Sequence, residues 1–482
     1  MTGDIHPAMV SPVADWSGAG EARVHNPANR AEVVGSYPVL APADVDHVVT
    51  VAGQAQRSWA QVPPAERFER LEAALAAVDL TDRDRLLTRE QGKPLAESTR
   101  ELGYLGFSTR LLSEHLSWLT DGEELMPSAF HRSRVYRDPV GVVGIITPWN
   151  FPIGIPVVSV APALVAGNAV VLHLPATAPL AALDVFGQIA ALLPEGVLSA
   201  ITSPDTGVAR RLVEHSAVRH VHFTGSTMTG RIVAREGAET LTGLTLELGG
   251  NDAGIVLEDA VDDQPDLFAR LVAGAFGNAG QACIALKRLY VPAARVGEVV
   301  EGLGAALATQ VVGDGLNPAT TMGPLHTRAQ RDKVRGLLDR ARADGGTVLE
   351  FGALAGDPEL GNFLRPALVT GVDASSPIVA EEQFGPALPI VGYSSIDEAV
   401  ALANDSRYGL GSSVWSSDVT RAAGIARRLD TGMTFINAHG GAGIDGRVPF
   451  GGTKDSGLGR GGANRAGLEV FTDAHAVVDA TR

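Results

Sequence analysis

The chain has 482 residues, more than one hydrophobic core usually holds, so two or three domains are expected. Hydrophobic residues (45%), charged residues (20%) and 56 glycines are typical of turn-rich α/β proteins rather than of disordered chains. The net charge of −16 argues against nucleic acid and anionic membranes as partners, because both require basic patches. A single cysteine excludes an internal disulfide, and with no signal peptide apparent in residues 1–15 it favours the cytoplasm.

The first part of the chain has the pattern of helices. Proline-led starts and apolar residues at helical spacing predict helices at 42–59, 63–75 and 83–119, the last broken at 92–94. Residues 128–137 partly alternate between apolar and polar side chains, which predicts an exposed strand. No charged residue occurs from 139 to 172, a length sufficient to span a bilayer. Prolines and a run rich in Val and Ile favour a buried parallel strand there instead, so no membrane span is expected.

Strands and helices alternate from residue 140 onward. The predicted strands are 140–147, 169–172, 200–201 and 220–223, and the predicted helices between them are 155–166, 180–191 and 208–214. This alternation favours a parallel sheet with crossover helices, and dinucleotides bind outside the carboxyl ends of such strands. Residues 225–230 follow the last strand and open a helix, where glycine and the helix N-terminus favour a phosphate. The spacing differs from the usual G-x-G-x-x-G fingerprint.

The only cysteine, Cys283, lies in a short Gly- and Ala-rich loop of a second α/β unit that begins after Gly250. Free cysteine is often a small buried hydrophobe, and that interpretation stays open for Cys283. A buried filler usually lies in an apolar periodic run, however, whereas glycines and amides precede this one. Glu247, between two leucines and before two glycines, is a carboxylate in a comparable setting. A thiol and a carboxylate presented in this way are what an enzyme needs to form and hydrolyse a thioester.

Six short motifs follow one another along the chain. They are Pro148-Trp149-Asn150-Phe151-Pro152, Phe223-Thr224-Gly225-Ser226-Thr227, Leu246-Glu247-Leu248-Gly249-Gly250, Gly280-Gln281-Ala282-Cys283, Glu382-Gln383-Phe384-Gly385-Pro386 and Pro449-Phe450-Gly451-Gly452-Thr453-Lys454. In this order they resemble the NAD(P)-dependent aldehyde dehydrogenase superfamily. The resemblance covers almost the whole chain, from Asn26 to Thr472. One such motif is weak evidence, whereas six in register are specific.

The resemblance implies an α/β fold in three parts. A dinucleotide-binding parallel-sheet domain is expected at 1–118 and 138–247, and a second α/β catalytic domain at 248–450. A small β oligomerisation arm and the C-terminal segment are expected at 119–137 and 451–482, with the C-terminal strand near 468–478. The implied assembly is a homodimer or homotetramer. The implied activity is oxidation of a small-molecule aldehyde to a carboxylic acid with NAD, NADP being possible, and no metal site is predicted.

The resemblance assigns roles to three catalytic residues. Cys283 is expected to attack the aldehyde carbonyl, so that the thiohemiacetal releases a hydride to the nicotinamide and leaves a thioester. Asn150 is expected to donate its side-chain amide to the developing oxyanion, beside the Cys283 backbone N–H. Glu247 is expected to be the general base for hydrolysis, with its leucine neighbours raising its pKa. Simpler roles stay open: Asn150 as a turn residue that caps its own backbone, and Glu247 as a strand-end carboxylate paired with a lysine.

The resemblance also assigns cofactor-binding positions. Glu382 and Phe384 match the pair that binds the nicotinamide ribose and supports the ring, and Trp149 and Ser226 match contacts on the pyrophosphate side. The other positions are Ile146, Thr147, His173, Ala176, Phe223, Thr224, Gly225, Leu248 and Gly249.

Four further positions match the family but have simpler explanations. Gln330 and Lys333 match residues near the cofactor ribose, although a solvated helix face explains them almost as well. Asn437 and Phe450 match residues near the substrate tunnel, and a buried strand end is an adequate alternative for both.

Two positions depart from the family pattern. After the strand 169–172 the family usually has Lys-Pro-Ser-Glu, whereas this chain has His173-Leu174-Pro175-Ala176. A histidine thus replaces the lysine that binds the adenosine ribose, and an alanine replaces the acid that accepts from the ribose hydroxyls and repels a 2′-phosphate. Weak discrimination between the cofactors is therefore expected, with NAD favoured. NADP binding should weaken as His173 loses its charge between about pH 6 and about pH 8.

Two other functions stay open. An acylating dehydrogenase would pass the thioester to coenzyme A, but Glu247 serves the hydrolytic half-reaction and argues against it. A binding protein that keeps the fold without activity is disfavoured by Cys283, Glu247 and Asn150 occurring together. The motifs leave the aldehyde open, because residues of a substrate tunnel come from loops scattered along the chain.

Overall fold

A computed structural model of the protein describes residues 20–107, 109–126 and 131–480. Within these ranges the chain forms two large, mostly parallel sheets and several small antiparallel ones, with helices between the strands. This arrangement confirms the predicted α/β class. The boundaries predicted for the three parts remain a prediction.

The first large sheet has six strands. Their order is Gly457–Leu458, Gly243–Glu247, Val218–Thr224, Val142–Ile146, Ala169–Leu174 and Leu198–Thr202. All neighbours pair in parallel except Gly457–Leu458, which runs antiparallel to Gly243–Glu247. Val142–Ile146 and Ala169–Leu174 are buried along their whole length, which explains the uncharged sequence there. The strand order reverses at Val142–Ile146, because the chain continues to Ala169–Leu174 on one side and later returns to Val218–Thr224 on the other, so a crevice forms at the carboxyl ends of these parallel strands.

The second large sheet has seven strands. Their order is Thr347–Glu350, Ala367–Thr370, Ala387–Tyr393, Leu286–Pro292, Asp252–Val256, Gly411–Trp415 and Met433–Ile436. All pairs are parallel except the one between Thr347–Glu350 and Ala367–Thr370. The strand Leu286–Pro292 begins three residues after Cys283, so this sheet positions the cysteine loop.

A third, antiparallel sheet contains the predicted arm. Its strands are Glu123–Glu124, Arg132–Pro139 and Thr472–Asp479. The predicted strand at 128–137 is therefore found from residue 132, and 128–130 lie outside the described residues. The prediction near 468–478 was wrong at its start, because 465–470 is a helix. Asn464 caps that helix by accepting from Ala466 N (2.9 Å), and Leu468 is fully buried.

The helices agree with the predicted pattern. The predicted helical region 83–119 is divided into short helices, with the expected break at 92–94. The α-helices are Pro42–Trp59, Pro64–Ala76, Arg83–Gln91, Leu95–Leu102, Tyr104–Phe107, Leu116–Asp121, Gly154–Val165, Leu180–Leu192, Thr206–Glu214, Thr227–Ala238, Glu258–Asp263, Leu267–Phe276, Val296–Ala308, Arg328–Ala343, Pro377–Ala380, Ile396–Asn404, Val419–Ala426 and Arg465–Val470. No helix in the described ranges is long and apolar enough to cross a membrane.

The remaining pairs of strands are short. They are Glu21–Asn26 with Asn29–Pro38, Val311–Val312 with Ala353–Leu354, and Tyr408–Gly409 with Thr453–Lys454. Short 3₁₀ turns lie at Leu112–His115, Gly277–Gly280, Ala293–Arg295 and Gly440–Gly443.

A buried ion pair connects the helical region to the first large sheet. Lys93 lies in the predicted helix break, and its Nζ pairs with Glu101 Oε2. Both side chains are at most 1% exposed. The other Glu101 oxygen accepts from the N–H groups of Ile153 (2.9 Å) and Gly154 (3.0 Å), at the start of the helix Gly154–Val165. The helix break thus brings a cation and a helix-capping carboxylate to the end of the strand that precedes Asn150.

We expect Lys93→Met to lower the free energy of unfolding by roughly 3–5 kcal/mol, because it leaves the Glu101 carboxylate buried without its cation. Urea denaturation followed by tryptophan fluorescence measures the change. Arg70→Met is the matched control, since Arg70 and Glu66 pair at 2.5 Å with side chains 44% and 46% exposed. Exposed pairs of this kind contribute about 0–1 kcal/mol. Equal losses in the two variants would contradict the prediction.

Candidate functional site

Asn150 lies in the turn that follows the strand Val142–Ile146. Its side chain is buried, and Nδ2 donates to the carbonyl oxygen of Gln281 (2.9 Å), two residues before Cys283. Its own carbonyl oxygen accepts from Lys93 Nζ (2.8 Å) and from Asn278 Nδ2 (3.0 Å). The amide of Asn150 is therefore held against the cysteine loop, and the backbone of the turn is held at the same time.

The cysteine loop has an unusual backbone. Asn278, Ala279 and Gly280 have φ values of 50°, 54° and 73°, in the left-handed region that non-glycine residues rarely adopt. A Cβ on Gly280 would collide with the backbone carbonyl of Gly385, so only glycine fits there. Hydrogen bonds hold Asn278: its Oδ1 accepts from Gln91 (3.2 Å), and its N–H donates to a carboxylate from the helix Leu95–Leu102 (3.0 Å). Neighbouring helices thus stabilise a strained loop just before Cys283.

Cys283 is half-buried at the end of this loop. Burial raises the pKa of its thiol to about 12, and Lys287 opposes that shift. The Lys287 side chain is 3% exposed, and its Nζ donates to the Cys283 carbonyl oxygen (2.5 Å) and lies 3.4 Å from Glu382 Oε1. Lys287 is missing from the residues that the sequence predicts for the site. A lysine in a buried strand just after the cysteine is the signal that would have identified it.

Glu247 ends the strand Gly243–Glu247. Its side chain is 6% exposed, and neither carboxylate oxygen has a hydrogen-bond partner among the described residues. Burial raises the pKa of Glu247 well above its usual range, and Arg460 opposes the shift. The pairing with a lysine that the sequence left open is not found within these residues. Glu247 is an uncompensated carboxylate of high proton affinity.

Cys283 and Glu247 line the same cavity. Its apolar walls come from the helix Gly154–Val165, from the strand Met433–Ile436 and from loops, and include Leu111, Phe151, Ile155, Val158, Ile284, Met433, Ile444, Val448 and Phe450. Its polar lining residues are Tyr104, Ser159, His222, Thr224, Glu247, Cys283, Asp445 and Asn464. Neither lysine nor arginine lines it in the described part of the chain.

His222 is a lining residue that the sequence reasoning missed. It is 4% exposed, its Nε2 lies 3.1 Å from Ser159 Oγ, and its Nδ1 has no partner among the described residues. Burial lowers its pKa to about 3, and His220 lowers it further. Its place directly before Phe223 in a motif was the available signal.

Two residues predicted near the substrate have different surroundings. Phe450 lines the cavity. Asn437 does not, because its Oδ1 accepts from Ser416 N (2.9 Å) and its Nδ2 donates to Ser416 O (2.8 Å), which fixes a neighbouring turn.

The crevice of the first sheet contains the predicted phosphate-binding segment. Phe223 is buried at the strand end, and a Cβ on Gly225 would lie 2.5 Å from its ring, so glycine is required. Ser226 caps the helix Thr227–Ala238, its Oγ accepting from Thr229 N (3.2 Å). The N–H groups of such a helix start are suited to a phosphate.

Glu382 lies beside the two glycines that follow Glu247. Its Oε1 accepts from Gly250 N (3.1 Å), and a Cβ on Gly249 would collide with its Oε2. Burial raises the pKa of Glu382, and Lys287 opposes the shift. Leu248, between Glu247 and Gly249, lines the cavity as Thr224 does, so predicted cofactor positions border the space that contains Cys283.

The turn around Phe384 is held by two predicted residues of one helix. Gln330 Nε2 donates to the carbonyl oxygens of Gln383 and Phe384 (both 2.8 Å), and Lys333 Nζ donates to that of Glu382 (2.7 Å). These bonds fix a turn in which Phe384 has a φ of 54°. Gln330 and Lys333 therefore hold this turn in place, which the alternative of a solvated helix face does not explain.

Trp149 forms an aromatic cluster with Phe384. Its ring is perpendicular to Phe384 (87°, centroids 5.7 Å apart) and stacked on His326 (21°, 4.5 Å). His326 was not predicted, although it follows the turn at residues 323–325. Its backbone N–H donates to Gln281 Oε1 (2.8 Å), so the cluster is also tied to the cysteine loop.

The two positions that depart from the family pattern, His173 and Ala176, lie at and just after the end of the strand Ala169–Leu174, which is adjacent to the strand Val142–Ile146. Ile146 is buried, and Thr147 N and Oγ1 lie 3.1 and 3.3 Å from the His173 carbonyl oxygen. Ala176 is half-buried, and its carbonyl oxygen accepts from Tyr37 OH (2.8 Å).

The expected titration of His173 near neutral pH is wrong. The ring is 8% exposed, and its Nε2 has no partner in the described part of the chain. Burial lowers the pKa of His173 to about 4, so the imidazole is neutral from about pH 6 to about pH 8. No pH-dependent charge on His173 is available to a 2′-phosphate.

A family model described as the aldehyde dehydrogenase family matches residues 16–477. The chain is 39% identical over 440 residues to geranial dehydrogenase of Castellaniella defragrans, covering 90% of each chain. It is 34% identical over 455 residues to glutarate-semialdehyde dehydrogenase of Pseudomonas putida, covering 94% of this chain and 92% of the relative. The fold is similar to that of betaine aldehyde dehydrogenase from Staphylococcus aureus in complex with NAD+, with a TM-score of 0.88, 29% identity, and coverage of 96% and 93%.

The fold, the order of the motifs and these relatives agree along nearly the whole length of the chain. The chain is an NAD(P)-dependent oxidoreductase that belongs to the aldehyde dehydrogenase family.

Proposed function

We propose that the chain oxidises an aldehyde to a carboxylic acid in two half-reactions, with Cys283 as the nucleophile and Glu247 as the base that activates water. The carrying observation is that the only thiol and an unpaired buried carboxylate line one cavity. Family membership supports the oxidation itself, and the contacts of these residues support the assignment of each step.

The residues around the crevice fit a dinucleotide. The helix capped by Ser226 offers the N–H groups of its first turn to a pyrophosphate. Glu382 is placed to accept from ribose hydroxyls, and Trp149 and Phe384 provide aromatic surface for the ring. When bound, the oxidised nicotinamide accepts the hydride that aldehyde oxidation releases.

In the first half-reaction the Cys283 sulfur forms a bond to the aldehyde carbon. The thiolate is the attacking form, and because burial disfavours it, the Lys287 ammonium is the group that favours it most directly. The Asn150 amide has two N–H donors, of which one is bound to Gln281 O. We assign the second to the oxyanion that develops on the carbonyl oxygen, where such a donor contributes roughly 3–4 kcal/mol.

In the second half-reaction Glu247 removes a proton from water, which attacks the thioester carbon and releases Cys283. A carboxylate of ordinary pKa is a weak base, whereas the raised pKa of Glu247 brings it closer to the working range. Its lack of a partner leaves both oxygens free to accept a proton. Hydrolysis by this carboxylate also disfavours transfer of the acyl group to coenzyme A.

We propose NAD as the cofactor, with NADP also accepted. Homologues use NAD+ or NADP+, so membership of the family leaves the choice open. Ala176 provides no carboxylate to repel a 2′-phosphate, and the neutral imidazole of His173 provides no cation to attract one. Discrimination between the two is therefore expected to be weak.

We propose that the protein is a homodimer or homotetramer assembled through the antiparallel arm. The strand Thr472–Asp479 is exposed along most of its length, and it leaves Val477 and Val478 46% and 57% exposed. Exposed apolar side chains on a strand are suited to cover by a second copy of the same strand.

Cys283→Ala is expected to abolish oxidation while the Kd for NAD changes only a few-fold, because the thiol is the nucleophile and makes no structural bond. Formation of reduced nicotinamide and cofactor titration measure the two effects. Turnover above about one per cent of the wild-type rate would contradict the assignment of Cys283 as the nucleophile, since loss of a covalent nucleophile lowers the rate far more than a hundredfold.

Glu247→Gln is expected to separate the half-reactions. One equivalent of reduced cofactor should form in a burst, and the steady state should fall by roughly 10²–10⁴ because hydrolysis has lost its base. Rapid-mixing absorbance measures both phases, and Glu239→Gln at an exposed helix end is the matched control. If the burst and the steady state fell equally, Glu247 would act before hydride release and not in hydrolysis. A steady state that requires coenzyme A in the wild type would favour the acylating alternative.

The ratio of the Kd values for NAD and NADP is expected to stay constant from about pH 6 to about pH 8, because His173 is neutral throughout. Titration of both cofactors at the two pH values measures it. A change in the ratio beyond about threefold would mean that His173, or another group, gains a proton next to the 2′-phosphate.

A further inference from the structure

We propose that the substrate is a neutral aldehyde with an extended apolar chain, and that aldehydes bearing a carboxylate group are excluded. This inference rests on the proposed function. The relatives act on aldehydes as different as geranial and glutarate semialdehyde, so the family alone does not select a class. The residues that line the cavity of this chain favour one class.

A carboxylate on the substrate would have no cation to bind. Neither lysine nor arginine lines the cavity in the described part of the chain. Arg460, which acts on Glu247, has its guanidinium on the carbonyl oxygens of Gly452 and Gly459 and is not a lining residue. Lys287 is occupied by the Cys283 carbonyl and Glu382. A buried carboxylate without a partner is strongly disfavoured, so semialdehyde acids should bind poorly.

Arg447 stands between the lining residues Gly446 and Val448 but does not line the cavity itself. Its side chain is 74% exposed and binds Asp445 through Nε and Nη2, at 2.9 and 2.6 Å. The arginine charge is therefore solvated, and the lining residue of the two is the carboxylate, which repels a substrate carboxylate.

Two neutral polar residues of the wall have partners within the protein. Asn464 donates to the carbonyl oxygens of Gly446 (2.9 Å) and Val448 (2.8 Å). His222 contacts Ser159, and as a neutral imidazole it provides no positive charge. The rest of the wall is dominated by aliphatic side chains, which gain from contact with methylene groups and not from contact with ions.

The test compares kcat/KM of the wild-type enzyme for octanal and succinate semialdehyde with saturating NAD. The kcat/KM for octanal is expected to exceed that for succinate semialdehyde by about a hundredfold or more, since an uncompensated buried charge costs at least that. From propanal to hexanal, each methylene should raise kcat/KM roughly fourfold, the equivalent of about 0.8 kcal/mol. A smaller preference for octanal would overturn the inference.

Val448 provides the matched pair of variants, because it lines the cavity and is 47% exposed, so substitution there should be tolerated. Val448→Arg places a cation on the wall and should lower the octanal to succinate semialdehyde ratio by about tenfold or more, whereas Val448→Gln should leave it within about threefold. An unchanged ratio in the arginine variant would show that wall charge does not set selectivity.

A binding measurement separates this inference from the proposed reaction. In the Cys283→Ala protein, calorimetry should find octanamide bound about a hundredfold more tightly than succinamate, whether or not the wild type turns over. If no aldehyde is oxidised but octanamide is preferred, the proposed function fails and the inference on the cavity stands. Tighter binding of succinamate would overturn the inference even if aldehydes are oxidised.

Discussion

Lys93 places one ammonium group where three parts of the site meet. Its Nζ pairs with Glu101, donates to the Asn150 carbonyl at 2.8 Å and lies 4.2 Å from the Phe151 ring centroid. The Asn150 carbonyl also accepts from Asn278, the first left-handed residue of the cysteine loop. A buried charge is unfavourable unless every contact is present, so this cluster has one low-energy arrangement. The position of the predicted oxyanion donor and the strain before the nucleophile are therefore set together, by residues that contact neither substrate nor cofactor.

The proposed chemistry also depends on how few positively charged groups lie near the reacting residues. Burial raises the pKa values of Cys283, Glu247 and Glu382, and Lys287 opposes the shift for the first and the third. The base proposed at Glu247 gains from this environment, because a higher proton affinity makes a carboxylate more effective on water. A thiol does not gain from a raised pKa, because the attacking form is the thiolate. Lys287 lowers the pKa of Cys283 and is not among the groups that act on Glu247, which is consistent with a nucleophile that needs a lower pKa and a base that needs a higher one.

The sequence predicted the parts of the fold that depend on local pattern. The buried strands, the crossover helices and the break at 92–94 were all visible as apolar periodicity, proline or glycine. Leu468 was assigned to a strand because the family resemblance places the C-terminal strand near it, whereas here it lies in a short capped helix before that strand. The error at His173 has another cause. Its charge depends on desolvation by neighbouring strands, and only the assembled sheet determines that. His326 contacts segments that are distant in sequence, Trp149 and Gln281, and no local pattern records such contacts.

The apolar cavity wall affects two properties at once, the pKa of Glu247 and the charge of the substrate that can bind. The apolar surroundings that raise the pKa of Glu247 by burial also leave a substrate carboxylate without a partner, because neither lysine nor arginine lines the cavity in the described ranges. A relative that binds a semialdehyde acid through a wall arginine would also stabilise the ionised form of a glutamate close to it, and so weaken that glutamate as a base. Such a relative must separate the arginine from its base by distance, or screen it. In this chain Arg460 acts on Glu247, but its guanidinium is bound to backbone carbonyls and does not line the cavity. In the proposed mechanism, the preference for an uncharged substrate and the strength of the base would therefore both follow from one feature, a cavity wall with neither lysine nor arginine among its described residues.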